Sequence, residues 1–202
     1  MVINISNYKN NSDLIKKIQS GALVVMPTDT VFGFITSAFS KNSVERLYEV
    51  RGRNLNKPCI ILCSSLSDLP SLGIVLNEVE SGILEKIWPN SVSVILNCPS
   101  KKFDYLHRGS GTLAVRIPKS LQLRAFLAKT GPVLAPSANL QGLPVAKNIR
   151  EARKYFGNKV DVYVSGKSKE QVSTLVVIEN GKVSVLREGA VDINKIKKLK
   201  NV

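Results

Sequence analysis

The chain has 202 residues, of which 44% are hydrophobic and 22% are charged, a composition typical of a soluble globular protein. This length predicts a single domain over residues 1–202, with a core over about 10–190 and a basic tail over 191–202. The 29 basic residues against 15 acidic ones give a net charge of +14, which favours polyanionic partners such as nucleic acid or nucleotide phosphates. No apolar run approaches the roughly 18 residues of a membrane span, and the first residues lack the charged-then-apolar layout of a signal peptide, so we expect a cytoplasmic protein without membrane contact.

Cysteine and histidine content argues against metal and disulfide chemistry. Cys59, Cys63 and Cys98 form an odd set without Cys-x-x-Cys spacing, so we expect them to be reduced and buried. His107 is the single histidine, and its position beside Arg108 in a Gly/Ser loop predicts a solvated side chain. We therefore predict no protein metal site, and His107 is the single candidate for a Ser/His or Cys/His pair.

The apolar spacing predicts alternating helices and strands. In chain order these are a helix capped at Ser12 or Asp13, a strand over 22–26, a helix opening at Ser43 and ending near Gly52, a strand over 59–63, a helix over 78–88, strands over 91–96 and 112–117, a helix capped by Ser120, a strand over 133–135, and a helix over 149–156 capped by Asn148. Two further strands, 174–178 and 183–186, flank Asn180-Gly181, which is a strong hairpin signal. The order predicts an α/β fold with a single mixed sheet and helices on its faces.

Small polar residues and cations follow or precede several of these strands. Thr28, Asp29 and Thr30 follow the first strand, Arg51 and Arg53 precede the second, and the Ser137 to Asn139 segment follows another. Strand ends are where open α/β folds bind ligands. No Gly-x-x-x-x-Gly-Lys-Ser/Thr loop occurs, so a phosphate site would be built from hydroxyls and guanidinium groups.

Six segments in combination resemble the YrdC-like family over about residues 10–190. They are Pro27-Thr28-Asp29-Thr30-Val31-Phe32-Gly33, Arg51-Gly52-Arg53 with Pro58, Val115-Arg116-Ile117-Pro118, Pro136-Ser137-Ala138-Asn139 with Gly142, Ser173-Thr174, and Leu186-Arg187-Glu188-Gly189. The resemblance implies an open twisted sheet around a basic concave surface. It also implies threonylcarbamoyl-AMP synthase activity, in which L-threonine, bicarbonate and ATP give threonylcarbamoyl-adenylate and pyrophosphate, the first step of a tRNA modification.

The resemblance also implies roles for individual residues, with no covalent nucleophile among them. The implied ATP ligands are Arg51, Arg53, Lys57, Thr112, Asn139 and Arg187, and the implied threonine ligands are Thr30, Arg116, Ser137 and Ser173. Mg²⁺ is expected to arrive with ATP, because the segments carry few carboxylates. tRNA and a downstream transfer protein are the implied partners.

This chain departs from the family pattern at several positions. Phe32 stands where relatives usually have tyrosine, and Leu62 stands where a histidine is common. The usual Trp-Pro-Gly-Pro-x-Thr segment reads Trp88-Pro89-Asn90-Ser91-Val92-Ser93, which retains a hydroxyl at Ser93.

Two other functions stay open at this point. The charge and the altered 89–93 segment also fit a non-catalytic RNA-binding module of the same fold. Carbamoyl-adenylate chemistry on another acceptor, as in the related domain of hydrogenase-maturation proteins, is the third possibility. The hydroxyls and cations themselves also have structural explanations, as turn caps or as a solvated helix end.

Overall fold

Ten strands form one mixed sheet in the computed structural model, which describes residues 2–4, 8 and 10–192. The strands are β1 Val2–Asn4, β2 Val24–Pro27, β3 Phe32–Ser37, β4 Ile61–Leu62, β5 Val92–Asn97, β6 Thr112–Arg116, β7 Val133–Leu134, β8 Val162–Ser165, β9 Thr174–Glu179 and β10 Lys182–Arg187. Their spatial order is β1-β8-β2-β3-β7-β4-β6-β5-β9-β10, with parallel and antiparallel pairs intermixed. The predicted α/β class and mixed sheet are confirmed, whereas most of the predicted basic tail, residues 193–202, lies outside the described residues.

Six α-helices accompany the sheet within the described part of the chain. They are α1 Ser12–Gln19, α2 Lys41–Arg51, α3 Glu78–Ile87, α4 Asp104–His107, α5 Leu121–Thr130 and α6 Ile149–Phe156. The predicted caps Ser120 and Asn148 are confirmed, because each side chain accepts a hydrogen bond from the third residue of its helix.

The first two predicted helix starts are wrong. The α1 cap is Asn11, whose Oδ1 accepts from the backbone N–H of Leu14 at 2.9 Å. The α2 cap is Ser40, whose Oγ accepts from the Ser43 N–H at 3.4 Å, and Ser43 itself lies inside the helix. The end of α2 is as predicted, at Gly52, which adopts the left-handed conformation.

Three strands, β1, β3 and β8, are absent from the sequence-based prediction. All six residues of β3 are buried, so the strand shows no alternation of apolar and polar positions. β8 is short and lies between β1 and β2, parallel to both, so only its distant neighbours define it. By contrast, the β9–β10 hairpin closes at Asn180-Gly181 as predicted, and both residues have positive φ.

Hydrophobic side chains pack on both faces of the sheet, which confirms the predicted placement of helices on its faces. On one face, α2, α3 and α6 pack against strand residues such as Leu113 and Val115. On the other face, α1 and α5 contribute Leu14, Ile18, Phe126 and neighbouring residues. The second layer packs against β2, β3, β4, β7 and β8, and the face of β5, β6 and β9 beside it carries a cleft.

The three cysteines are buried and free, as predicted. His107, in contrast, is not solvated but only 4% exposed. Its Nδ1 accepts hydrogen bonds from the backbone N–H groups of Gly109 and Gly111, while Nε2 lies 3.3 Å from the Ser100 carbonyl oxygen. The imidazole therefore orders the loop that leads into β6.

Among the described helices, none has the length and apolar character that crossing a membrane requires.

The layer beneath α5 is the place to test the packing of the second face. Phe126 is fully buried, and its ring meets the Tyr8 ring edge-on with centroids 5.1 Å apart. We expect Phe126→Ala to lower the free energy of unfolding by about 3–5 kcal/mol, because a large cavity remains. Leu121→Ala on the same helix is the control, since Leu121 is 75% exposed and should change stability by less than about 0.5 kcal/mol. Urea unfolding of both variants measures the difference, and equal losses would contradict this packing.

Candidate active site

The cleft lies on a face of the sheet where small and polar side chains point away from the first hydrophobic layer, because side chains alternate between the two faces along each strand. In β6, Leu113 and Val115 point into the first hydrophobic layer, so Ala114 and Arg116 point to the opposite face and line the cleft. The cleft brings together six of the ten predicted site residues: Thr30, Arg53, Arg116, Ser137, Ser173 and Arg187. These residues come one from each of the six segments named above.

The turn between β2 and β3 supplies one wall. Pro27 pairs with Phe32, so residues 28–31 close a four-residue hairpin loop. Thr28 braces the loop, because its Oγ1 donates to the Val31 carbonyl oxygen at 2.7 Å and accepts from the Thr30 N–H at 3.2 Å. The capping role that the sequence left open for Thr28 is therefore present, and Thr30 faces the cleft beside it.

Arg116 is 3% exposed and is neutralised by a partner from the hairpin loop. Its Nη1 lies 2.5 Å from Asp29 Oδ1, and its Nη2 donates to Thr30 Oγ1 at 3.3 Å. Asp29 Oδ2 accepts from the Lys119 N–H at 3.2 Å. Within the described residues Arg116 Nε has no hydrogen-bond partner. A strand arginine between Val115 and Ile117 has to meet an anion or solvent, and here it meets Asp29.

Arg51 lies behind the cleft rather than in it. Its Nε donates to the Asn139 carbonyl oxygen at 3.2 Å, and its Nη2 donates to Asn139 Oδ1 at 3.1 Å. Asn139 Oδ1 also accepts from the Ser137 hydroxyl at 2.6 Å. Burial, reinforced by the charge of Arg53, lowers the pKa of Arg51 to about 10, so the guanidinium stays charged at neutral pH. Arg51 and Asn139 thus hold Ser137 at the cleft.

The Ser137 segment also lies against β3, where a glycine permits the approach. Phe34 N–H donates to the Pro136 carbonyl oxygen at 2.8 Å, and Ala138 N–H donates to the Phe32 carbonyl oxygen at 2.8 Å. A Cβ atom on Gly33 would lie only 3.2 Å from the Pro136 oxygen. The glycine of the hairpin motif therefore lets two site segments meet.

The third wall combines β9, β10 and the segment before them. Arg187 Nη2 donates to the Ser173 carbonyl oxygen at 2.7 Å, and burial lowers the pKa of Arg187. Beneath it, Ser93 Oγ lies 2.9 Å from Ser173 Oγ. The hydroxyl that remains in the altered 89–93 segment thus supports a cleft residue.

Of the predicted residues not yet described, Arg53 lines the cleft, whereas Lys57 and Thr112 lie outside its lining. Arg53 donates to the carbonyl oxygens of Lys57 and Pro58 and still lines the cleft. The Lys57 side chain is exposed on the loop after α2. Thr112 lies two residues before Ala114 in β6, on the same face of the strand but outside the lining. Leu62, at the position of the family histidine, is fully buried in the second hydrophobic layer.

Comparison with known proteins identifies the family. The family model Sua5_yciO_yrdC, described as Telomere recombination, matches residues 16–189. A protein of Mycobacterium leprae named putative threonylcarbamoyl-AMP synthase is 32% identical over 182 residues, which cover 89% of this chain and 82% of that one. The chain belongs to the Sua5/YciO/YrdC family, as its six segments predicted.

Two solved structures place the fold in the same group. The crystal structure of P. abyssi Sua5 complexed with L-threonine matches with a TM-score of 0.86 and 26% identity, covering 98% of this chain. This chain spans 60% of that longer protein. The crystal structure of E. coli YciO matches with a TM-score of 0.82 and 21% identity, covering 97% of this chain and 98% of that one, which supports the fold alone.

Sequence reasoning missed the supporting roles of Asp29 and Ser93. Asp29 was visible as the only carboxylate in a polar strand-end segment, next to a sequence rich in cations. Its pairing with Arg116 joins residues 87 positions apart, which local spacing does not reveal. Ser93 supports Ser173 across neighbouring strands, and only the β5–β9 register brings the two together.

Because Arg51 is buried, its substitution should lower the stability of the protein more than the substitution of an exposed arginine. We expect Arg51→Ala to lower the free energy of unfolding by about 3 kcal/mol, because the Asn139 carbonyl oxygen loses the guanidinium donor and Asn139 Oδ1 keeps only the Ser137 hydroxyl. Arg150→Ala, an exposed arginine in α6, should change it by less than about 0.5 kcal/mol. Chemical denaturation of the two variants measures this. If Arg51→Ala is as stable as Arg150→Ala, the proposed support of the Ser137 segment is wrong.

Proposed function

We propose that this chain is a threonylcarbamoyl-AMP synthase, which joins L-threonine, bicarbonate and ATP. The observation that carries the proposal is the convergence of Thr30, Arg53, Ser137, Ser173 and Arg187 in one cleft beside Arg116. Hydroxyls and guanidinium groups suit a site that binds phosphates and a carboxylate without a covalent nucleophile. The names of the relatives support the same conclusion.

In the proposed reaction, the neutral threonine amine adds to bicarbonate to form a carbamate, and water leaves. A carbamate oxygen then attacks the α-phosphorus of ATP. The bond from that phosphorus to the bridging oxygen breaks, and pyrophosphate leaves with the electron pair. The protein positions the reactants and neutralises charge that develops on the leaving phosphates.

We assign the phosphates to the donors that the protein leaves unused on the cationic side of the cleft. Arg53 donates with Nε and Nη2 to backbone oxygens, which leaves Nη1. Arg187 uses only Nη2 within the described residues. These fixed backbone contacts orient both guanidinium planes before ATP binds, so little reorganisation is needed. The further ATP contacts of Arg51, Lys57, Thr112 and Asn139 stay predictions.

We assign the threonine carboxylate to Arg116. Asp29 and Thr30 each take one N–H of its two Nη groups, and each of these groups carries a second N–H. A carboxylate is bound well by such a planar fork. Ser137 and Ser173 are the proposed hydroxyl contacts to the reacting threonine.

Mg²⁺ is proposed to enter with ATP. The described residues contain no group of three or more His, Cys, Asp or Glu side chains placed to hold a metal ion. Asp29, the carboxylate beside the cleft, is already bound to Arg116 and Lys119 N–H. These residues fit a metal that is held mainly by substrate oxygens, where it would withdraw charge from the phosphates.

The main test is threonine-dependent release of pyrophosphate. The purified protein should release pyrophosphate from ATP with Mg²⁺ only when threonine and bicarbonate are both present. Release with another amine or carbamoyl donor instead of threonine would favour the third function. If no release occurs while tRNA binds in a salt-sensitive manner, the RNA-binding module is favoured instead.

Arg53 provides the second test. We expect Arg53→Ala to reduce kcat/KM by about 100-fold or more, because a preoriented phosphate donor is lost. Lys86→Ala removes the same charge from the exposed face of α3, away from the cleft, and is the matched control. Steady-state pyrophosphate release measures both variants, and denaturation confirms that Arg53→Ala is folded. Equal activity of the two variants would contradict the phosphate role.

A further inference from the structure

The hydrogen bonds of the β2–β3 turn determine which way the hydroxyl protons of Thr28 and Thr30 point. Thr28 Oγ1 donates its single proton to the Val31 carbonyl oxygen at 2.7 Å, since a carbonyl can only accept. The same oxygen lies 3.0 Å from Thr30 Oγ1. Because the Thr28 proton is used, Thr30 must be the donor in this contact.

The second contact of Thr30 has an equally definite direction. Arg116 Nη2 lies 3.3 Å from Thr30 Oγ1, and a guanidinium only donates. Thr30 therefore gives its proton to Thr28 and accepts one from Arg116. One lone pair of Thr30 Oγ1 remains, on a residue that lines the cleft and is only 3% exposed.

The ion pair with Asp29 keeps this arrangement in place. Asp29 Oδ1 holds Arg116 Nη1, and Asp29 Oδ2 is itself fixed by the Lys119 N–H. With side-chain exposures of 4% for Arg116 and 8% for Asp29, water competes little for the pair. The guanidinium is thus aligned to donate to Thr30 rather than to turn away.

We propose that Thr28 is a positioning residue that holds Thr30 as a hydrogen-bond acceptor, so that the cleft selects its amino-acid substrate through a donor group. This inference rests on the proposed function. The donor is an O–H or N–H of the substrate, either the side-chain hydroxyl or the neutral amine. A substrate group that can only accept meets a lone pair at this point and is disfavoured.

A double-mutant cycle on the full chain tests the inference. Calorimetry measures the Kd of threonine and of valine for the wild type, Thr28→Val, Thr30→Val and the double variant. We expect Thr28→Val to weaken threonine binding about tenfold, because the released Thr30 proton turns toward the ligand. In the Thr30→Val background the same substitution should have no further effect, because no hydroxyl remains to be oriented.

The valine measurements identify the donor. If the donor is the threonine hydroxyl, Thr28→Val lowers the preference for threonine over valine. If it is the amine, which both ligands carry, the affinities for both fall together. Thr28→Ser keeps the oxygen and should restore the wild-type preference.

Additive effects of the two substitutions would overturn the inference, because Thr28 would then act through the turn alone. Thr28→Ser binding as weakly as Thr28→Val would also overturn it, since Thr28→Ser keeps the hydroxyl and that hydroxyl would then not be the group that maintains threonine affinity. If Thr28→Val does not fold, Thr30→Val with unchanged threonine affinity refutes the inference. A wild type without threonine-dependent turnover refutes the proposed function itself, whereas turnover with an additive cycle refutes only the inference.

Discussion

The contact between β3 and residues 136–138 is the constraint on which the cleft depends. Two backbone hydrogen bonds join the segments, and the missing side chain of Gly33 permits their approach. Ser137 is thereby fixed near the hairpin that carries Thr30. From behind, Arg51 bonds to the same segment through Asn139, so the loop is held from two directions. A hydroxyl on an irregular loop becomes as well placed as one on a strand.

The three arginines that line the cleft are anchored in similar ways. The cations that face the cleft are each anchored by protein acceptors, either backbone oxygens or the carboxylate of Asp29. Anchoring restricts the guanidinium rotamers before a ligand arrives, which lowers the entropic cost of binding. The charge of the anchoring group also distinguishes two kinds of arginine. Arg116 carries its own counterion, whereas Arg53 and Arg187 are held by neutral carbonyl groups and keep their full charge for a ligand.

Much of the fold was predictable because its signals are local. The Asn180-Gly181 turn, the Ser120 cap and the glycine after Arg51 each act through residues within a few positions, and all three lie where the sequence placed them. β3 and β8 were missed because their residues are buried by distant neighbours, which removes the alternation that marks a strand. His107 was misjudged for a related reason, because neighbouring polarity does not reveal that a ring nitrogen binds two backbone N–H groups.

The site residues also divide into those that the sequence could predict and those that it could not. The strand-end hydroxyls and Arg116 could be recognised, because those residue types are unusual beside buried strands. The sequence does not reveal whether Arg51 or Arg53 faces the cleft. One residue separates the two arginines, and only the tertiary contacts of Asn139 distinguish them.

The cleft is assembled from parts of the chain between Thr30 and Arg187, so an occupant touches the hairpin, the β6 arginine and the final strand at once. Such an occupant acts as a noncovalent crosslink of long-range contacts. Since the unfolded chain lacks this arrangement, binding shifts the folding equilibrium by RT ln(1 + [L]/Kd). Substrate supply and resistance to unfolding are thereby coupled, and the amount of folded protein responds to the concentration of its own reactants.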